Sequence, residues 1–183
     1  MKIFYDTEFL DDGRTIDLIS IGMVAEDGRE LYAVSCEFDQ AAVCRHDWLM
    51  ANVWPSLPII KNPHGKRGVD HLDLDHPDVR PRAQIARMVQ EFIYATPNPD
   101  LWAYYSAYDH VAYAQLFGPM SQLPAGLPMQ TDDLVTEAKR LGLSPNDLPT
   151  QTEGHHNAIE DARHNRVMAQ YLDAYAGRTA LGN

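Results

Sequence analysis

The sequence predicts an α/β protein with a mixed central β-sheet flanked by helices, and three observations carry that prediction. Three β-rich runs open the chain: Ile3-Phe4-Tyr5, residues 16–24 (IDLISIGMV) and residues 31–35 (LYAVS). Helical and strand-like segments then alternate to the C-terminus. Breakers such as Thr96-Pro97-Asn98-Pro99, Gly118-Pro119 and Gly142 separate them. A meander followed by alternating helix and strand is the pattern of a mixed sheet covered by helices.

Each element has a local reason. Ile3-Phe4-Tyr5 is apolar and aromatic, as a buried strand requires. The turn signal Glu26-Asp27-Gly28-Arg29 separates the second and third runs and predicts an antiparallel meander. Residues 47–53 read as a short helix ended by Pro55. Residues 55–80 hold Pro55, Pro58, Pro63 and Pro77 with His64, His71 and His76, show little periodicity, and predict a long loop or insertion. Pro81 suits the first turn of a helix, and Ile85, Met88, Val89, Phe92 and Ile93 follow at i, i+3, i+4, i+7 and i+8. Leu101-Trp102-Ala103-Tyr104 reads as a strand, residues 108–117 as a helix, and residues 132–141 as a helix ended by Gly142. A breaker-rich loop, 144–154, leads to the last helix, 158–175. Ala158, Ala162, Asn165, Ala169 and Leu172 share its inner face.

Length and composition fit a single domain over 1–183 with a sizeable core. No apolar run approaches the ~18 residues of a membrane helix. Met1-Lys2-Ile3-Phe4-Tyr5 meets an acid at Asp6, unlike a signal peptide. Cys36 and Cys44 form no CxxC pair, which predicts a cytoplasmic protein without disulfide or zinc. The net charge is −11, from 15 basic and 26 acidic residues, so the basic excess of a protein that coats nucleic acid is missing. A nucleic-acid substrate would have to be recognised over a few nucleotides in a pocket. Bound cations would offset part of the negative charge.

The chemistry-bearing residues stand in three segments. Asp6 and Glu8 flank Thr7 on the first strand, and positions two apart point to one face. Asp109 follows the 101–104 strand and opens a helix, where sites of open α/β sheets form. By itself it would also suit the helix dipole. His156 and Asp161 are five residues apart and would diverge by roughly 140° on one helix. They share a site only if His156 lies in the loop before it, with Asn157 as N-cap. His155 and Glu160 have the same spacing and compete for the role. Asp161 is preferred because Asp161-Ala162 leads into the small-residue face. Clustered carboxylates repel unless cations hold them. The set therefore reads as a two-metal site with a histidine base, built to cleave phosphodiesters. His64, His71 and His76 match no compact metal site and are expected to be solvated.

Asp6-Thr7-Glu8, the Asp109 segment, and His156 with four residues before Asp161 resemble the three motifs of the DEDDh 3′–5′ exonucleases, which have a ribonuclease H-like fold. Phe4-Tyr5-Asp6-Thr7-Glu8-Phe9 and Ile19-Ser20-Ile21-Gly22 are most similar to a small bacterial 3′–5′ exoribonuclease family related to ribonuclease T. The resemblance spans most of the chain. It implies that Asp6, Glu8, Asp109 and Asp161 hold two Mg2+ or Mn2+ ions, with Asp6 bridging, and that His156 and Glu8 are catalytic, His156 as general base. It further implies a homodimer that acts on single-stranded RNA 3′ ends or short oligoribonucleotides and releases nucleoside 5′-monophosphates such as AMP.

Two positions depart from many relatives. Tyr105 replaces an asparagine, and Phe9-Leu10-Asp11 replaces Thr-Thr-Gly after the Asp-x-Glu motif. Both lie where the terminal nucleotide would sit. Thr7, Phe9 and Tyr105 are therefore the expected nucleotide-binding residues, Thr7 through its backbone or hydroxyl and Phe9 by stacking worth ~1–3 kcal/mol per base. Trp54 and Trp102 are further aromatic candidates. Lys61, Lys66, Arg67, Arg80, Arg82 and Arg87 are expected either to grip phosphates or to form a solvated face. Single-stranded DNA as substrate, a nucleotide- or RNA-binding module without turnover, and a hydrolase of small phosphodiesters are the alternative readings.

Overall fold

The computed structural model describes residues 1–61 and 70–181. In chain order the elements are β1 (Lys2–Asp11), β2 (Ile16–Ala25), β3 (Glu30–Ser35), α1 (Gln40–Val43), α2 (Asp47–Asn52), β4 (Ile59–Ile60), β5 (His71–Leu72), β6 (Val79–Arg80), α3 (Arg82–Tyr94), β7 (Asp100–Ala103), α4 (Ala107–Gln115), β8 (Asp132–Asp133), α5 (Leu134–Arg140) and α6 (Ala158–Leu181). The main sheet has the order β6-β3-β2-β1-β7-β8. β1, β2 and β3 form the antiparallel meander that the sequence predicts. β7 joins β1, β8 joins β7 and β6 joins β3, all in parallel. The molecule is thus α/β with a mixed central sheet flanked by helices.

The alternation of β1 assigns its side chains to two layers. Ile3 and Tyr5 enter one core with Ile85, Val89, Phe92 and Ile93 of α3 and Ala112 and Tyr113 of α4. Phe4 enters the opposite core with Leu134 and Ala138 of α5 and Met168, Ala169 and Leu172 of α6. Full burial of one such side chain stabilises the fold by about 1.5–3 kcal/mol. Asp6 and Glu8 share the parity of Phe4 and so face α6. The inner residues predicted for that helix, Ala158, Ala162, Asn165, Ala169 and Leu172, are all buried. β7 pairs with β1 only over Lys2, Ile3 and Phe4. Past that point the Tyr5 carbonyl accepts a hydrogen bond from Asn165 Nδ2 at 2.9 Å.

Several boundaries differ from those read in the sequence. The helix expected over 132–141 starts at Leu134, because Asp132 and Asp133 are extended and pair with Trp102 and Ala103. Asp133 caps α5 instead, accepting from Thr136 N at 2.7 Å. Pro81 precedes α3 as an extended N-cap residue rather than entering its first turn. The 55–80 segment is not one loop. It holds the end of a 3-10 turn (Trp54–Ser56), a small β4–β5 hairpin, and β6 at the sheet edge. The last helix continues past residue 175 to Leu181. Pro63, His64, Lys66 and Arg67 lie outside the described residues. Cys36 and Cys44 are free thiols, and no helix among the described residues is long and apolar enough to cross a membrane.

Candidate active site

Asp6 and Glu8 reach the site along β1, two residues apart on the α6 face. The register of β1 against β2 shifts between Glu8 and Phe9, a bulge that redirects the strand just past the second acid. Asp109 arrives from the other side. The chain leaves β7 through Tyr104-Tyr105-Ser106, with Tyr105 in the left-handed region at φ 55°. Ser106 N–H donates to Asp133 Oδ2 at 2.8 Å, and Asp109 then sits in the first turn of α4. Its Oδ1 accepts from both Thr7 N (2.9 Å) and Thr7 Oγ1 (2.7 Å). Thr7 thus orients a carboxylate, and both its donors are occupied by that contact.

Asp161 is delivered by α6. Gly22 pairs with Asp6 across the sheet, and a Cβ at Gly22 would lie 2.3 Å from the Ala158 carbonyl oxygen. Only glycine allows the start of α6 to rest directly on β2. Asn157 Oδ1 accepts from Ile159 N at 3.3 Å, and the Asn157 carbonyl accepts from Asp161 N at 2.9 Å, so the predicted cap is formed. His156 lies in the turn before the helix, as the spacing requires, with φ 60°. A non-glycine residue held there stores strain of order 1–3 kcal/mol. The turn is tethered rather than free. His156 N–H donates to Asp161 Oδ2 at 2.9 Å, and the His156 carbonyl accepts from Ser56 Oγ at 2.8 Å.

These segments converge on one cleft of about 610 Å³, lined by Asp6, Glu8, Asp109, Asp161 and His156 together with Thr7, Phe9, Tyr104, Tyr105 and Tyr108. Ligating atoms of Glu8, His156 and Asp161 lie within 4.8 Å of one another. Among the described residues, no lysine or arginine lines the cleft. Among the described residues, none of the four acids forms an ion pair with a lysine or arginine.

The electrostatics follow from that isolation. Burial, then the charges of Asp109, Glu8 and Asp161, push Asp6 well above the usual carboxylate range. Burial, then Asp161 and Asp109, push Glu8 up to about 8. Burial raises Asp109 to about 6 against the opposing pull of its two hydrogen bonds from Thr7. Burial also raises Asp161, opposed by hydrogen bonds from Gln151 and His156. Hard carboxylate oxygens beside an imidazole, without a cationic partner, are a donor set that fits a divalent ion such as Mg2+ or Mn2+.

A pH dependence follows. A carboxyl whose folded pKa exceeds its unfolded value binds more protons in the folded state, so its contribution is complete below the unfolded pKa. That contribution disappears as pH rises through the folded value, about 6 for Asp109 and about 8 for Glu8. In EDTA, the melting temperature should therefore fall between pH 5 and pH 8.5, and Mn2+ should recover more of it at pH 8.5 than at pH 5. A flat EDTA profile in differential scanning fluorimetry would contradict this electrostatic picture.

The remaining expected residues separate into two groups. Phe9 lines the cleft and stacks on Tyr108 at 5.8 Å and 12°. Tyr105, 59% exposed, stands at the rim with its edge against Tyr104. Trp54, by contrast, is buried with Leu49 and Val53 in a core away from the cleft. Trp102 lies under the Lys2 ammonium at 5.0 Å and donates to Asp100. Of the basic residues, Arg80 Nη1 donates to the Val79 carbonyl and Arg82 pairs with Asp17 at 3.2 Å. Neither these two nor Lys61 and Arg87 line the cleft. The rival acid Glu160 is held by Arg163 Nη1 at 2.5 Å and is not a lining residue, whereas His155 lines the cleft with Nε2 3.0 Å from the Gln151 carbonyl. His71 and His76 lie elsewhere, on β5 and beside Asp78.

Four contributors were not singled out from the sequence. Tyr108 adjoins Asp109 and would have been found by asking what precedes the acid on α4. Gln151 donates to Asp161 Oδ1 at 2.7 Å from within the breaker-rich loop. Trp48 meets the His156 ring edge-on at 4.8 Å, and Ser56 holds its carbonyl. The last two stand about 100 residues before His156, and no local pattern marks them.

No family model matches the chain. Two 3′–5′ exoribonucleases, from two strains of Mycobacterium tuberculosis, are each 42% identical to it over 165 residues, spanning 89% of this chain and 88% of theirs.

Proposed function

The chain belongs to the 3′–5′ exoribonuclease family of these mycobacterial proteins, and from that membership we propose that it is a divalent-metal-dependent 3′–5′ exoribonuclease of the DEDDh type. The observation that carries the reading is the convergence of four acids and His156, from three distant segments, in one cleft that no lysine or arginine lines among the described residues. A binding module has no need of such a complete set, whose mutual repulsion is costly unless cations relieve it. The antiparallel meander continued by parallel β7 and β8 supports the ribonuclease H-like assignment.

Asp6, Glu8, Asp109 and Asp161 would hold the ions, two by the resemblance, with Asp6 between its neighbours. When bound, such ions neutralise the scissile phosphate and make a coordinated water acidic near neutral pH. His156 accepts the proton of the attacking water, a role suited to an imidazole at neutral pH. The water oxygen bonds to phosphorus, the P–O3′ bond breaks with its electron pair on O3′, and that oxygen takes a proton from solvent as the shortened RNA leaves with a 3′-hydroxyl. The product is a nucleoside 5′-monophosphate. Thr7 fixes Asp109, so recognition of the terminal base falls to Phe9 on its Tyr108 support, with Tyr105 at the rim. With no lysine or arginine lining the cleft among the described residues, base stacking and bound ions provide the grip there, which suits short single-stranded ends.

The test uses 5′-labelled RNA and purified protein with Mg2+ or Mn2+. Stepwise shortening from the 3′ end, abolished by EDTA, is the expected outcome. An intact oligomer, or shortening that survives both EDTA and Asp6→Ala, removes the proposal. A matched DNA oligomer in the same assay reports the ribose preference.

A further inference from the structure

We infer that Ser56 is a positioning residue for the histidine base, holding the His156 turn from a segment of the chain that contributes nothing else to the reaction. The inference rests on the reading of His156 as general base given above. His156 occupies the left-handed region at φ 60°, which a side-chain-bearing residue leaves unless its neighbours over-determine it. Two hydrogen bonds do so, one at each side of the residue. On the amide side, Asp161 Oδ2 accepts from His156 N at 2.9 Å. On the carbonyl side, Ser56 Oγ donates at 2.8 Å. The first contact belongs to the acid cluster itself. The second comes from the 3-10 turn Trp54–Ser56, which follows α2, the helix whose half-exposed Trp48 ring meets the imidazole edge-on.

The Ser56 hydroxyl has one proton and two carbonyls in reach, His156 O and Val53 O, both at 2.8 Å. Back-bonding to Val53 is the local default of a serine three residues on in such a turn. The second carbonyl lies 100 residues away in sequence, and it is the carbonyl of the base. Removing the hydroxyl leaves the Val53 carbonyl its bond from Ser56 N at 3.0 Å, while the His156 carbonyl loses its Ser56 donor and the turn loses one of the two contacts that hold its φ. The imidazole then samples orientations away from the attacking water, while the acids and the stacking residues stay in place. A misplacement of this kind is read in turnover rather than in substrate binding.

The experiment measures kcat, KM and melting temperature for the wild type, Ser56→Ala, Ser56→Thr and His156→Ala on a short 5′-labelled RNA with Mn2+. Ser56→Ala should lower kcat about 10-fold with KM within about twofold of wild type and little change in melting temperature, and Ser56→Thr, which keeps the hydroxyl, should recover most of kcat. An unchanged kcat in Ser56→Ala overturns the inference. So does a loss of kcat that tracks a lowered melting temperature and that threonine does not restore, since that is plain structural support. His156→Ala separates the two levels. If it keeps full activity, the reading of the base fails and this inference with it. If it is inactive while Ser56→Ala turns over normally, only the role of Ser56 is withdrawn.

Discussion

Asp6→Asn is expected to lower kcat/KM on RNA by at least about 10²–10³-fold, the scale at which loss of one group that stabilises developing charge is measured, and at the same time to raise the melting temperature of the metal-free protein. The two effects have one cause. Asp6 faces Glu8, Asp109 and Asp161, and its carboxyl is pushed far above the ordinary range by burial and by those three charges. Asparagine preserves its shape and removes the charge. It cannot supply an anionic oxygen to a cation, so the proposed ligand set loses one of its four carboxylates. Without a cation, the same change relieves repulsion that the fold otherwise bears. For a chain of this size each kcal/mol relieved appears as about 2–4 °C. Steady-state kinetics with labelled RNA and fluorimetry in EDTA at pH 8 check both halves. Activity within tenfold of wild type, or a lower melting temperature in EDTA, would mean that Asp6 is an ordinary strand-end acid.

The second large effect is expected at Gly22, a residue with no chemistry of its own. A methyl group there would lie 2.3 Å from the Ala158 oxygen and 2.4 Å from the Ala158 carbon and the Ile159 nitrogen. All three are backbone atoms, so no side chain can swing aside, and the first turn of α6 has to retreat by about 1 Å to restore contact distance. Asp161 and the His156 turn ride on that segment. Displacement on this scale costs about 10²-fold in rate, and overpacking costs about 1–3 kcal/mol of stability. Gly22→Ala should therefore lose activity out of proportion to its loss of melting temperature. Gly177→Ala is the control. It lies on the same helix with nothing within 4 Å of an added Cβ, so it should leave activity unchanged and stabilise α6 by about 0.5–1 kcal/mol. Wild-type turnover in Gly22→Ala would show that the close approach of α6 to β2 is not needed for the site.

Much of this arrangement is written in short-range patterns. Strand periodicity places Asp6 and Glu8 on one face whatever their surroundings, because side-chain alternation is a property of the extended backbone. The five-residue interval between His156 and Asp161 forces the histidine off the helix, and Asn157 marks where the helix starts. The small-residue face of α6 is legible for the same reason, since a helix repeats every 3.6 residues. The limits of Asp132–Asp133 were misread because two residues of strand pairing override a helical local preference. That pairing exists only once β7 is in place.

The chain's own order of residues was thus sufficient to nominate the acids and the histidine that meet in one cleft, since that choice depends on dihedral periodicity and on charge. Assembly of the sheet and helices settled what surrounds them. Thr7 became the anchor of Asp109, Trp54 and Trp102 went to packing, Arg80 and Arg82 turned to neighbouring protein groups, and Ser56 and Trp48 came to His156. Apart from Arg80, which bonds the adjacent Val79 carbonyl, those outcomes depend on contacts between residues roughly 60 to 110 positions apart or on competition for burial, and neither has a signature in local spacing.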